Sequence, residues 1–199
     1  TNVVVAAFDP SLVVRVQAQI NNANSNFRVY ASDDVIGCEI AGAVKNVLAI
    51  ASGASSGLGF GNNTRAGLIC RGLAEMTRLA KAMGSNGRAM SGLAGGGDLL
   101  LTCSSELSRN FSVGQRLARG DSTDSILNST GPVAEGVATA KSVHNLAKKL
   151  GVEMPICEQV YEVIWNAKSV SQAVGELMDR TPGEELDHIV NLTPHSPHK

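Results

Sequence analysis

No CxxC pair occurs in this 199-residue chain; its four cysteines, Cys38, Cys70, Cys103 and Cys157, lie more than thirty residues apart. That spacing disfavours a zinc ribbon or a redox pair and reads as reduced thiols of a cytosolic-type protein, with a long-range disulfide left open. No block of like charge exceeds two residues and the net charge is -1, which argues against nucleic acid or a membrane surface as the main partner. No apolar run is expected to reach the length of a bilayer span. The four histidines, His144, His188, His195 and His198, are scattered, so no metal site is expected. No signal peptide opens the chain and Met is not its first residue, which suggests a fragment or a processed product.

What is present divides the chain. "NVVVAAF" reads as a buried strand, and "DPSLVVRVQAQI" as a helix capped by Asp9 with Pro10 at its first position. Val13, Val16 and Ile20 mark the helix side expected to be buried. "FRVYAS" reads as a second strand, which completes one βαβ unit. A parallel pair this short cannot cover both its faces. Residues 1–32 are therefore expected to be the end of a parallel sheet whose earlier strands lie upstream. From residue 33 to 180 the pattern is helical. A helix is expected over about Val35–Ala51, ended by the glycine-rich "SGASSGLGFGNN". A second, capped by Asn63 or Thr64, is expected to run through Met83, then a short one stopped by Gly120, another over residues 122–128 and one from Val137 to Leu150 closed by Gly151. Further helices open at Pro155 and at Ser169, where Gln172 completes a capping box. Residues 181–199 turn to Pro, His and acids and read as a loose tail.

"EIAGAVKNVLAIA", Glu39 to Ala51, carries the first chemical clue. Ile40, Val44, Val47, Leu48 and Ala51 recur at helical spacing, so one face should be buried. Lys45 sits in its middle without an acid within one helical turn. Its ordinary fate would be to run its stem along the core with the ammonium in water. Small neighbours at Ala41, Gly42 and Ala49 instead leave room for a ligand, and a desolvated lysine can serve as general acid or base near neutrality. Asp98 in "GGGDLLLTC" is either a helix cap or a carboxylate beside bare backbone. Ser108, Arg109 and Asn110 open a helix, where an anion is favoured; an N-cap with an exposed arginine is the plainer alternative. Glu135 reads as a first-turn acid serving its helix dipole. "GLGFG" lacks the preceding strand and the GxGxxG spacing of a dinucleotide loop and reads as a turn between helices. The residues by themselves suggest a polar site made by Lys45, Asp98 and Arg109.

The ordered run "GCEIAGAVKNVLAIASGASSGLGFGNNTRAGLICRGLAEMTRLAKAMG", "GLAGGGDLLLTCSSELSRNFSVG" and "VAEGVATAKSVHNLAKKLGVEMPICEQVY" resembles the C-terminal domain of NAD(P)-dependent glycerol-3-phosphate dehydrogenases. The resemblance covers about residues 1–180. It implies a mainly α fold, similar to the helical domain of 6-phosphogluconate dehydrogenase, preceded by the end of a Rossmann sheet. It implies reversible reduction of dihydroxyacetone phosphate to sn-glycerol 3-phosphate with NAD or NADP. The lysine of the family's "KN" motif falls on Lys45 and implies the proton donor and acceptor, with Asn46 beside it. Asp98, Thr102, Ser108, Arg109 and Asn110 are implied substrate contacts; Arg109, Val133 and Glu135 are implied cofactor contacts. "GGGDL" is richer in glycine than the family's usual "GLGDL". The glycine fingerprint and a further substrate-site lysine would lie upstream, so this chain is expected to need a Rossmann half for activity. A homodimer and a cytoplasmic location complete the expectation, with a plastid or glycosome left open. A related dehydrogenase of another phosphorylated or hydroxy-acid substrate, or a helical dimerisation module, are the alternatives.

Overall fold

The computed structural model describes residues 1–21, 26–129 and 134–181. It begins with β1 (Asn2–Ala6), α1 (Pro10–Ile20) and β2 (Arg28–Ser32). The strands pair in parallel with Asn2 opposite Arg28 and Ala6 opposite Ser32. Asp9 caps α1 by accepting from the Ser11 N–H, and Pro10 follows as the first helical residue. The Gln17 side chain donates to the Val29 carbonyl and the Asn21 side chain bonds both backbone groups of Val29, which holds α1 to β2. Val13 is buried and Val16 partly so, but Ile20 is 40 % exposed, because the two-stranded sheet is too narrow to reach under the last turn.

The helical body is built around α2 (Val35–Gly57). Val44, Val47 and Leu48 are fully buried there, as their spacing predicted, and Ile40 and Ala51 pack at the edge of the same core. The expected stop near Ala51 does not occur: α2 runs on through "SGASSG". Glycine in a helix interior costs about 1 kcal/mol relative to alanine, so local propensity favours an end. Packing against α5 (Arg109–Ala118) overrides it. A Cβ on Gly53 would overlap the Phe111 carbonyl, and one on Gly114 would overlap the Ile50 carbonyl. Reciprocal bare backbone lets the two helices touch, and that contact requires helix at both glycines.

Extended to 23 residues, with a stretch of mean hydropathy 1.5 within it, α2 is long and apolar enough to cross a membrane, contrary to the expectation that no segment would be. Its apolar face is covered instead by α3 (Asn62–Ala82), α4 (Asp98–Ser104), α5 and α7 (Glu135–Leu150), as in a core helix. Gly59 and Gly61 lie in the turn between α2 and α3, so "GLGFG" joins two helices. Between α3 and α4 come a 3₁₀ turn at Arg88–Ser91 and a π turn at Leu93–Gly97. The remaining helices are α6 (Thr123–Ser129), α8 (Pro155–Trp165) and α9 (Val170–Met178). Gly120 and Gly151 adopt the left-handed conformation that closes α5 and α7, and Ser169 caps α9 through the Gln172 N–H.

Two buried acids tie distant elements together. Glu75, 1 % exposed on α3, accepts the Ile156 N–H at 2.6 Å and the Cys157 N–H at 3.1 Å, and so caps α8 from outside its own chain segment. Burial pushes its carboxyl up to about 7 against the pull of those N–H donors. Asp34 caps α2 through the Gly37 N–H and also takes the Ser85 hydroxyl and the Ala89 N–H. Burial raises the Asp34 carboxyl, yet these donors outweigh it and hold the group below the usual carboxylate range. The four cysteines are free thiols; burial pushes Cys103 up to about 12.

Candidate active site

Lys45 and Asn46 lie in the middle of α2, about three turns from its capped start. Neither is in the fully buried stripe: Lys45 keeps 22 % of its side-chain surface exposed and points across to α4. Asp98 opens α4 directly after the π turn, and its Oδ2 accepts from the Lys45 ammonium. The lysine is thus neither stranded in the core nor simply released to water. The Thr102 hydroxyl donates to the Asp98 carbonyl at 2.6 Å, one turn along α4.

On the other side of Asn46 two longer helices begin. Ser108 caps α5 by accepting from the Phe111 N–H, which places Arg109 and Asn110 in the first turn. Glu135 opens α7. Asn110, 8 % exposed, joins the three segments: its amide donates to Asn46 Oδ1 and its Oδ1 accepts the Gly136 N–H, both at 3.0 Å. Gly136 packs so closely on the Asn46 carbonyl that a Cβ there would lie 2.6 Å from it. The Asn46 amide in turn reaches the Gly42 carbonyl at 3.3 Å and Glu135 Oε2 at 3.5 Å.

A cleft of about 370 Å³ opens over this network. Asn46, Thr102, Ser108, Arg109, Asn110 and Glu135 line it, together with Leu101, Ser105 and Leu107. Lys45 and Asp98 stand beside it, next in sequence to Asn46 and one turn from Thr102. The N-terminus of α5 carries partial positive charge and, with Arg109, favours an anion there, whereas the start of α7 already holds the Glu135 carboxylate. The structure therefore gathers Lys45, Asn46, Asp98, Thr102, Ser108, Arg109, Asn110 and Glu135 in one region. Val133 lies outside the described residues. Leu101, 66 % exposed, and Leu107, 94 % exposed, were not foreseen as cleft residues, and only their flanks in "DLLLT" and "ELSRN" hinted at them. The Asn110–Gly136 link was equally unforeseen.

The donor set fits part of a nicotinamide cofactor. Glu135 offers a carboxylate to an amide N–H or a ribose hydroxyl, and Arg109 offers N–H donors to an oxygen. Among the described residues no glycine turn between a strand and a helix is available for a pyrophosphate, since "GLGFG" lies between α2 and α3.

Comparison with known proteins bears on the whole arrangement. Residues 34–175 match the family model described as the C-terminus of NAD-dependent glycerol-3-phosphate dehydrogenase. A glycerol-3-phosphate dehydrogenase (NAD(P)+) of Geobacter sp. (strain M21) is 54 % identical over 180 residues, 90 % of this chain and 53 % of that protein. One from Syntrophobacter fumaroxidans is 58 % identical over 161 residues, 81 % of this chain and 47 % of that protein. The chain thus spans about half the length of the curated relatives it matches. The crystal structure of glycerol-3-phosphate dehydrogenase from Coxiella burnetii superposes with a TM-score of 0.85 at 40 % identity, covering 90 % of this chain and 55 % of that one. The Plasmodium falciparum glycerol-3-phosphate dehydrogenase, at 18 % identity and a TM-score of 0.78, shares the fold. With its mainly helical fold and the family's sequence pattern in order from residue 34 to 175, the chain belongs to the NAD-dependent glycerol-3-phosphate dehydrogenase family, of which it carries the C-terminal domain.

Proposed function

We propose that the chain supplies the substrate-binding and proton-transfer half of a glycerol-3-phosphate dehydrogenase that interconverts dihydroxyacetone phosphate and sn-glycerol 3-phosphate with NAD or NADP. The observation that carries this reading is the Lys45–Asp98 pair beside a cleft lined by Arg109 and the first turn of α5. The substrate has the matching polarity, with a phosphate at one end, a ketone on its central carbon and a hydroxyl beyond it.

Arg109 grips the phosphate with its planar fork, assisted by Ser108, Asn110 and the N–H groups of the first turn of α5. This anchoring fixes the carbonyl near Lys45, an orientation effect that can supply several kcal/mol of the barrier. Lys45 donates a proton to the ketone oxygen in reduction and takes the hydroxyl proton in oxidation, while Asp98 holds the ammonium in place. Asn46 and Thr102 offer further hydrogen bonds to substrate hydroxyl or carbonyl oxygens. The nicotinamide, when bound, supplies or accepts the hydride at carbon. Arg109, Val133 and Glu135 are proposed to touch that cofactor, and the pyrophosphate is assigned to a Rossmann half beyond this chain.

In domain terms, residues 1–32 are read as the closing βαβ unit of the cofactor domain, 33–180 as the catalytic helical domain and 181–199 as a tail. A cytoplasmic homodimer is the proposed state. The test is turnover by the complete enzyme carrying Lys45→Met, with NADH affinity measured beside it. Lost turnover with retained affinity supports the role of Lys45; full activity overturns it. A substrate series with and without the phosphate group separates this reading from a dehydrogenase of another hydroxy compound.

A further inference from the structure

We infer that Asp34 is a positioning residue for the Lys45–Asp98 pair: its carboxylate joins the start of the helix that carries Lys45 to the segment that delivers Asp98. This rests on the acid–base role proposed for Lys45.

An N-cap needs one local hydrogen bond, and Asp34 has that one, from the Gly37 N–H at 3.0 Å. It has more than a cap requires. The Ser85 hydroxyl lies 2.7 Å from Oδ1 and 2.9 Å from Oδ2, and the Ala89 N–H donates to Oδ2 at 3.1 Å. Those donors come from 51 and 55 residues further along the chain. Asp34 is 3 % exposed as a residue, and its carboxylate sits directly on Gly37, where any Cβ would overlap it.

Two stiff arms lead from this point. One is α2, unbroken from Asp34 to Lys45. The other is the chain from Ala89 to Asp98. Gly95 lies against the Ala89 carbonyl and the Met90 Cα so tightly that a Cβ would be 2.5 Å from each, and the Gly97 N–H bonds the Gly92 carbonyl at 3.1 Å. Asp98 follows at once. The Lys45–Asp98 ion pair closes the circuit at the far end. Arg109 and Asn110 follow the α2 arm and not the one that delivers Asp98, because α5 is seated on α2 at Gly53 and Gly114 and Asn110 is bonded to Asn46 beside Lys45. Loosening Asp34 therefore displaces Asp98 relative to Lys45 while leaving the phosphate end of the cleft in place.

The experiment is steady-state kinetics of the complete dehydrogenase carrying Asp34→Ser. Serine keeps an acceptor for the Gly37 N–H, but one hydroxyl cannot also hold Ser85 and Ala89. Misplacement on the ångström scale should lower kcat roughly 10- to 100-fold and leave KM for dihydroxyacetone phosphate within about twofold. Adding Asp34→Ser to Asp98→Asn should lower kcat no further, since both act through one pair. A wild-type kcat, a matching rise in KM, or independent multiplication of the two losses overturns the inference. Where Asp34→Ser does not fold, Ser85→Ala takes its place, with a several-fold fall in kcat and the same lack of additivity expected; a wild-type kcat there is equally fatal. Lys45→Met, measured in parallel, separates the two proposals. If it is active, both fail; if it is inactive while Asp34→Ser runs at full rate, only the positioning role fails.

Discussion

Lys45 on α2 and Asp98 on α4 are 53 residues apart in the chain and form a direct ion pair at the edge of a polar cleft. Both side chains are partly exposed, 22 % and 34 %, so a ligand can reach them while the pair stays held. In the complete enzyme Lys45→Met should reduce turnover by roughly 10²- to 10⁴-fold, the usual contribution of a general acid. NADH affinity, read by fluorescence titration, should stay near wild type.

Arg109 opens α5 beside the cleft. Arg109→Ala should weaken glycerol 3-phosphate by roughly 1.5–3 kcal/mol, the range for hydrogen bonds to charged groups. Glycerol, which has no phosphate, should be affected far less. Equal losses for the two compounds in inhibition assays would show that the arginine does not read phosphate. Arg109→Lys should recover part of the loss, because an ammonium lacks the fork.

Gly53 and Gly114 are where the backbones of α2 and α5 touch most closely. Alanine has the higher helix propensity, so an isolated helix would gain from either change. In the folded protein each added methyl meets a backbone carbonyl, which cannot rotate away as a side chain does. Gly53→Ala and Gly114→Ala should each destabilise by roughly 1–3 kcal/mol or more, seen as a lower urea midpoint. Unchanged midpoints would contradict the close packing.

Glu75 makes stability depend on pH with a definite sign. Its folded carboxyl titrates at about 7 against an ordinary 4.5. Below 4.5 both folded and unfolded states hold the proton. As pH rises toward 7 the unfolded chain ionises first, so the stability present at low pH is lost through this window, by roughly 3 kcal/mol in all. Glu75→Gln stays neutral throughout and still offers an oxygen to the α8 N-terminus. Wild-type stability relative to this variant should therefore fall between pH 4.5 and 7.5 in urea titrations. A flat difference would remove burial as the dominant influence on Glu75.

NADH should bind this 199-residue chain by itself only weakly, because the described residues offer the pyrophosphate no glycine turn at a helix N-terminus. Activity should return when a Rossmann half is supplied, fused or in trans. Calorimetry of the chain with NADH is the direct measurement; micromolar binding would contradict the division of labour.

Much of the fold was legible wherever a local rule acts alone. Asp9 and Pro10 announce α1, Lys148, Lys149 and Gly151 announce the end of α7, and Ser169 with Gln172 announces α9. Capping works within a few residues, so the chain states it openly. The end of α2 was not legible. Its glycines carry a local signal to stop, and the reason to continue lies on α5, more than fifty residues away. Pro155 announces where α8 opens, but its buried residues, Ile156, Cys157, Val160 and Ile164, are selected by the partner helices that cover that side.

The sequence by itself determined most of the helices, the parallel βαβ opening and the buried stripe around Lys45, and it named the candidate residues from Asn46 to Glu135. Each of these rests on periodicity, on turn chemistry or on an ordered family pattern. The 3₁₀ and π turns and α4 were not legible in it. Only the tertiary structure decided that Lys45 meets Asp98, that Asn110 bonds both Asn46 and Gly136, and that Asp34 and Glu75 reach across the fold. Hydrogen bonds and ion pairs of this kind depend on distances of a few ångströms between segments that lie tens of residues apart. Nothing local selects such partners; the helix packing does, and at Gly53 and Gly114 that packing turns on the absence of a single carbon atom.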